Sequence, residues 1–388
     1  MKNLSKEALK LHKKLKGKLE IKTKVPLKTR KNLSLAYTPG VAIPCLKIKE
    51  NKEKVYDYTW KRNTVAIVTD GSAVLGLGNI GPYAALPVME GKAILFKEFG
   101  GVDAIPICLE TQKVEEIIDI IKKISPTFGG INLEDISAPR CFTIEQRLNE
   151  DLDIPVFHDD QDGTAIVVLA GLINALKLVN KKIEEVKIVI NGAGAAGIAI
   201  TKMLYRAGAR KILLCDREGM IYKGRKENMN FAKEEIIKYL WVESKKGTLK
   251  DAMKEADVFI GVSGPNLVTE QMIKSMNKFS IVFAMSNPIP EIMPDRAKKA
   301  GAYVVATGRS DFPNQINNLL AFPGIFRGTF DAKAKKITEK MKISASLAIA
   351  KYIPETELSP SYIIPSALDK NVAKVVAKAV KKSAISIT

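Results

Sequence analysis

Two acidic pairs, Glu134-Asp135 and Asp159-Asp160, come off short β-type runs at 130–136 and 154–157. Carboxylates collected at the carboxyl edge of a sheet offer hard oxygen ligands, which suit Mg²⁺ or Mn²⁺ with water and substrate oxygens completing an octahedron. Capping of the next helix is the competing reading, and it fits Asp162, ahead of Gly163-Thr164, better than Glu134-Asp135 in an apolar stretch. Lys92 stands among Val88, Met89, Ala93, Ile94 and Leu95. A lysine in apolar company loses hydration, which favours its neutral form and allows a general base near neutral pH; snorkelling to the surface is the alternative. Tyr37 precedes Thr38-Pro39-Gly40, a turn that holds the phenol on a fixed backbone corner.

A second chemistry is written at 186–216, VKIVINGAGAAGIAITKMLYRAGARKILLCD. A β-type run at 186–190 leads into Gly192, Gly194 and Gly197, with Ala195 and Ala196 between them, then an apolar-periodic helix stopped by Gly208, then a strand at 212–214 closed by Asp216. The first glycine permits the strand-to-helix turn, the second lets a pyrophosphate approach the backbone, and the third brings the helix close to the sheet. Asp216 falls where a ribose hydroxyl is read, which favours NAD, while Arg217 and Lys223-Gly224-Arg225-Lys226 could accommodate the extra phosphate of NADP. Gly76, Gly78 and Gly81 repeat the spacing, but they do not directly follow the strand at 65–68, and Pro82 and Pro87 interrupt the helix that would hold a phosphate. They read as a substrate-side loop, with a helix starting at Pro87.

The elements that must position these groups form an α/β chain. Residues 4–16 make an amphipathic helix, 104–109 a strand, 114–124 and 142–148 helices, and 164–178 a nearly all-apolar helix buried as the bridge between domains. Further strands at 258–262, 281–284 and 303–306 end in small or polar residues that line a nucleotide crevice, and 333–387 is mainly helical. The fold expected is an N-terminal α/β catalytic domain, 1–160, followed by a Rossmann-like doubly wound NAD(P)-binding domain with C-terminal helices, 161–388.

Composition excludes some functions. The formal charge is +19, and residues 1–60 carry sixteen Lys or Arg against five Asp or Glu. The lysines are spread over amphipathic helices rather than clustered with aromatics, which make up 6% of the chain, so nucleic acid is not the expected partner. The field can still draw in an anionic substrate. No run of eighteen apolar residues appears, which argues against a membrane span, and four widely spaced cysteines with no CxxC fit a reducing, cytoplasmic setting.

With these pieces in place the chain resembles malic enzyme of the short bacterial and archaeal type. The likeness is carried by YTPGVA at 37–42, VTDGS at 68–72, LGLGNIG at 75–81, GKA at 91–93, LED at 133–135, FHDDQDGTA at 157–165, GAGAAG at 192–197, MSNP at 285–288 and NNLLAFPG at 317–324. The resemblance implies a homodimer or higher homo-oligomer that oxidatively decarboxylates L-malate to pyruvate, with NAD or NADP and Mn²⁺ or Mg²⁺. It implies that Tyr37 protonates the enolpyruvate carbon, that Lys92 takes the malate hydroxyl proton, that Glu134, Asp135 and Asp160 ligate the metal, and that Asp159 tunes the site. Asn287 and Asn318 are then substrate donors, and Thr164 and Asn287 join the cofactor contacts. Where larger relatives carry a carboxylate-clamping arginine after TDG, this chain has Ala73, so the clamp must come from elsewhere. Two rival readings are a metal-independent amino-acid or hydroxy-acid dehydrogenase and a non-catalytic nucleotide- or nucleic-acid-binding protein.

Overall fold

Strand β1, Thr64–Thr69, is buried at every position and is apolar through its middle, the signature of a strand covered on both faces. The computed structural model describes residues 2–74 and 76–385; Leu75 of the second glycine motif and residues 386–387 of the expected helical tail lie outside the described residues. In the first sheet β1 pairs in parallel with β2, Asp103–Cys108, and with β3, Gly130–Leu133, which pairs with β4, Val156–His158. The order is β2-β1-β3-β4, so β3 and β4, whose ends carry the acidic pairs, are neighbours.

The second sheet contains β5, Lys187–Asn191; β6, Lys211–Asp216; β7, Gly219–Met220; β8, Val258–Gly261; β9, Ile281–Ala284; and β10, Val304–Thr307. Its order is β10-β9-β8-β5-β6-β7, parallel except for β7 against β6. The order reverses between β5 and β8, and a doubly wound sheet opens its ligand crevice at such a switch point.

The helix Thr164–Leu178 forms as expected and lies inside the core. Together with the turn before it, it is long and apolar enough to cross a membrane by length and composition, yet most of its surface is covered by protein. Its buried Asn174 spends both amide donors on the carbonyls of Ala350 at 2.9 Å and Ile363 at 3.0 Å, which ties the helix to the C-terminal part of the chain.

One expectation needs correcting. The helix expected to start at Pro87 runs Gly81–Gly100, with Pro82 in its first turn and Pro87 inside it. Proline costs the helix one backbone hydrogen bond, which packing against β2 and the later helices offsets. The amphipathic N-terminal helix forms as expected, at Lys2–Leu15, with Leu4, Leu11 and Leu15 exposed, and the helices Arg30–Ala36 and Ala42–Glu50 bury no residue at all.

The C-terminal helices return to the first sheet. Phe322 and Phe326, on Phe322–Asp331, meet Phe96 at centroid distances of 4.7 and 5.3 Å, and Phe326 meets Phe157 at 5.9 Å. One hydrophobic core therefore draws on both sheets. Gly324 and Gly328 bring this helix against Lys370–Ile385; a Cβ on either would lie within 2.7 Å of a backbone carbonyl there.

Candidate active site

β3 ends at Leu133 and the chain leaves it with Asp135 in the left-handed region, φ 53°. That turn lets the Asp135 N–H donate to Asp160 Oδ2 at 2.9 Å. Asp160 sits in a single wide turn, Asp159–Gly163, between β4 and Thr164–Leu178. Gly163 is required there, because a Cβ would lie 1.9 Å from Asp159 Oδ1. The result is a compact acidic cluster: one oxygen each from Glu134, Asp135 and Asp160 lie within 4.8 Å of one another.

The donor set fits a divalent cation. Asp135 Oδ2 is buried with no hydrogen-bond partner. Burial, then the charges of Asp160 and Glu134, push the Asp135 carboxyl up to about 9; burial likewise raises Glu134 and Asp160. A dication among three crowded carboxylates removes the cause of those shifts.

Lys92 projects from Gly81–Gly100 into the same place. Its Nζ lies 3.0 Å from Glu134 Oε2, touches Asp159 Oδ2, and stands 3.9 Å from the centroid of the Phe322 ring. Its apolar neighbours in sequence allow either a desolvated, neutral lysine or one that snorkels to the surface, and the side chain is buried. Burial pulls toward the neutral form, but Asp159 and Glu134 outweigh it, and the net shift is upward. The resting lysine is therefore an ammonium ion. Asp159 is pushed up to about 7 by burial against the pull of Lys92, and the Asn318 amide also donates to its Oδ2. Asp162, read as a helix cap, instead pairs with the buried Lys342 at 2.6 Å.

The nucleotide cradle borders this cluster. Gly192 takes φ 120°, and a Cβ there would lie 2.6 Å from the Val262 carbonyl after β8. At Gly197 a Cβ would be 1.7 Å from the Gly192 carbonyl, whereas at Gly194 it would meet nothing within 4 Å, which leaves a bare backbone face for a pyrophosphate. Ala195 and Ala196 open the helix Ala195–Arg206, which packs against the Asp159–Gly163 turn. Thr164 follows that turn, its N–H bonded to the carbonyls of Asp159 and Gln161.

Asn287 lies beyond β9, and Gly76 fits against it: a Cβ on Gly76 would be 3.0 Å from Pro288 Cδ and 3.1 Å from the Asn287 carbonyl. The second glycine loop thus meets the rim of the nucleotide sheet. Asp216 ends β6, but its carboxylate already accepts from Arg225, Lys233, Asn228 and the Glu218 N–H. The Arg217 side chain is 80% exposed and lies 3.6 Å from Glu218. Tyr37 is not brought to the cluster. It is 68% exposed at the end of Arg30–Ala36, and no hydrogen bond or ring contact joins its side chain to the described residues.

Three supporting residues escaped the sequence reading. Asn132, the one polar residue of β3, donates to Glu134 Oε2 at 2.8 Å, and its place in an apolar strand was the available signal. Glu291, fully buried, accepts the N–H groups of Ser263 at 3.0 Å and Ser286 at 3.1 Å, tying together the loops after β8 and β9. Arg140 brings a guanidinium to Ser72, beside Ala73, donating to Ser72 Oγ at 2.9 Å and pairing with Asp70 at 3.0 Å. Neither of these two carries a local sequence signal.

A Rossmann-type sheet whose glycine cradle abuts a lysine and a carboxylate cluster is the framework of a nicotinamide-dependent oxidoreductase. Residues 16–149 match the family described as malic enzyme, N-terminal domain, and residues 161–385 match malic enzyme, NAD binding domain. The chain belongs to the malic enzyme family. It is 60% identical to the bifunctional malic/malolactic enzyme of Bacillus subtilis, over 99% of this chain and 93% of that protein. It is 58% identical to the NAD-dependent malic enzyme of Geobacillus stearothermophilus, over 95% and 77%. The crystal structure of NAD-dependent malic enzyme from Thermotoga maritima superposes with a TM-score of 0.93 at 53% identity, covering 96% of this chain and 98% of that one.

Proposed function

We propose that the chain oxidatively decarboxylates L-malate to pyruvate and CO₂, reducing NAD or NADP with the help of Mn²⁺ or Mg²⁺. The observation that carries this reading is the position of Lys92, held between Glu134 and Asp159 at the mouth of the three-carboxylate cluster. Glu134, Asp135 and Asp160 would hold the metal. When bound, the ion supplies Lewis acidity at the C2 oxygen and the nicotinamide supplies a hydride acceptor.

The chain's own residues do the rest. Lys92, once it has shed its own proton, takes the malate hydroxyl proton, and Asp159, in contact with it, positions the amine and sets its proton affinity. Asn318 and Asn287 offer amide donors to the substrate carboxylates. After CO₂ leaves, Tyr37 delivers a proton to C3. Its exposure in one chain calls for a homodimer in which Tyr37 of the partner subunit completes the site. The helices beside it support this: at 7 and 9 residues, with no buried side chain, they are shorter than the roughly 12 residues an isolated helix needs in water. Four free cysteines fit a reducing cytoplasm. The boundary between substrate and nucleotide domains is placed at 160/161, just past β4.

The test is cofactor reduction with L-malate, run with NAD and with NADP, each with Mn²⁺ and with excess EDTA, while pyruvate and lactate are assayed. Lactate is included because the 60% identical relative is named for a malolactic activity as well. Metal-dependent reduction with matching pyruvate is the expected result. Reduction that survives EDTA and yields no pyruvate would make the chain a simple dehydrogenase.

A further inference from the structure

The turn that carries Asp160 is held from both sides by buried lysines. On one side Lys92, from Gly81–Gly100, touches Asp159 Oδ2. On the other Lys342, from the late helix Glu339–Lys351, forms an ion pair of 2.6 Å with Asp162 Oδ2. Asp159 and Asp162 bracket Asp160 within the turn Asp159–Gly163. Asp160 itself has little to hold it: its Oδ2 accepts the Asp135 N–H at 2.9 Å and stands 3.8 Å from His158 Nδ1. Its direction therefore depends on how its two neighbours are anchored.

Lys342 is itself firmly placed. It is buried, and its Nζ also donates to Glu339 Oε1 at 3.0 Å. Glu339 in turn pairs with Arg206, the last residue of Ala195–Arg206, and Glu339–Lys351 packs against Thr164–Leu178, the helix that continues the turn. Burial pulls the Lys342 amine down, but Asp162, then Glu339 and Glu145, outweigh it, so it stays an ammonium ion. Behind the turn, Glu145 accepts the His158 N–H at 3.2 Å and the Gln161 amide at 2.8 Å. Six carboxylates, those of Glu134, Asp135, Glu145, Asp159, Asp160 and Asp162, thus crowd one turn. Among the described residues the cations that act on them are Lys92 and Lys342.

We infer that Lys342 is a positioning residue for the metal: through Asp162 it fixes where Asp160 presents its oxygen, as Lys92 does through Asp159 from the opposite side. The inference rests on the metal-dependent reading above and adds a residue of the C-terminal helices to the site. Charge alone would act in the other direction. Removing a cation from the neighbourhood of a dication relieves repulsion and should tighten Mn²⁺ binding. Losing a contact that orients a ligand should weaken it, by about ten- to a hundredfold.

Titration of the EDTA-treated, dialysed protein with Mn²⁺, followed by the electron paramagnetic resonance of the free ion, tests this without turnover. Lys342→Met should weaken Mn²⁺ uptake by about tenfold or more and lower the thermal midpoint, since Asp162 is left buried and unpaired. The double variant Lys342→Met with Asp162→Leu keeps the net charge of the wild type and replaces the ion pair with apolar groups. Its midpoint should recover toward the wild type while Mn²⁺ uptake stays at least about tenfold weaker. That split separates orientation from stability, and the double variant carries the test alone if Lys342→Met does not fold. Unchanged or tighter Mn²⁺ binding in Lys342→Met would overturn the inference, and so would wild-type affinity in the double variant; either leaves the metal site standing. A wild type that takes up no Mn²⁺ would overturn the metal-dependent reading, and the inference with it.

Discussion

Lys61 and Lys92 are equally buried, each 7% exposed, and burial has opposite outcomes for them. Lys61, in the turn Trp60–Asn63 ahead of β1, gives its Nζ to the carbonyls of Ser125 and Phe128 and, among the described residues, has no carboxylate in contact. Burial, reinforced by the charge of Lys52, brings it down to about 8. Lys92 is desolvated too but touches two carboxylates, and its proton is held more tightly than in water. Burial therefore does not mark a reactive lysine. What distinguishes the site is that acids and a base were buried together, so each sets the proton affinity of the others and a metal can reset them all.

The sharpest way to break this contrast is to remove each amine. Lys92→Met should lower malate oxidation by about a thousandfold, in the range of a lost general base, whereas Lys61→Met should leave turnover within about threefold. Comparable losses in steady-state kinetics would mean that Lys92 is only structural. A smaller effect separates the acids from the fold. Asp135→Asn should weaken Mn²⁺ binding by about a hundredfold yet raise the thermal midpoint of the EDTA-treated protein, because folding no longer has to neutralise a carboxylate that the unfolded chain leaves ionised. A fall in that midpoint would contradict the crowding.

Proton counting sharpens the comparison further. With Asp135 up at about 9 and Asp159 at about 7, Mn²⁺ uptake near neutral pH should release protons and tighten as pH rises; titration calorimetry in buffers of different ionisation enthalpy reads the number. Uptake with no proton release would show that the carboxylates are already ionised. The smallest effect belongs to Lys61. Its folded value lies below its ordinary 10.5, so between about 8 and 10.5 the unfolded chain holds more protons and stability should rise with pH. Lys61→Met should flatten that slope in thermal melts, while Lys92→Met should not.

The parts of the site that were legible share one property: each is announced by neighbours in sequence. Gly192, Gly194 and Gly197 declare a backbone shape, and Glu134-Asp135 and Asp159-Asp160 stand at strand ends where a parallel sheet collects its ligands. What stayed hidden depends on partners far along the chain. The charge of Lys92 is set by residues 42 and 67 positions away, and Asp162 meets Lys342 from 180 positions away. Asp216 stands where the fingerprint ends, but the partners its carboxylate takes, Arg225 and Lys233, enter with a loop and a short helix that carry no pattern of their own. Pro87 misled for a related reason, since a proline's cost is local and the packing that offsets it is not.

The return of Phe322–Asp331 and Lys370–Ile385 to the first sheet also governs how the protein is made. Gly130 of β3 lies so near Phe326 that a Cβ would come within 2.9 Å of the ring, and Phe96 is lidded by Phe322 and Phe326. A ribosome releases β1 to β4 long before it has translated these aromatics. The half of the chain that emerges first must wait, with one flank uncovered, for the half that emerges last, so the usual order of synthesis, in which an N-terminal domain closes before its successor appears, does not apply.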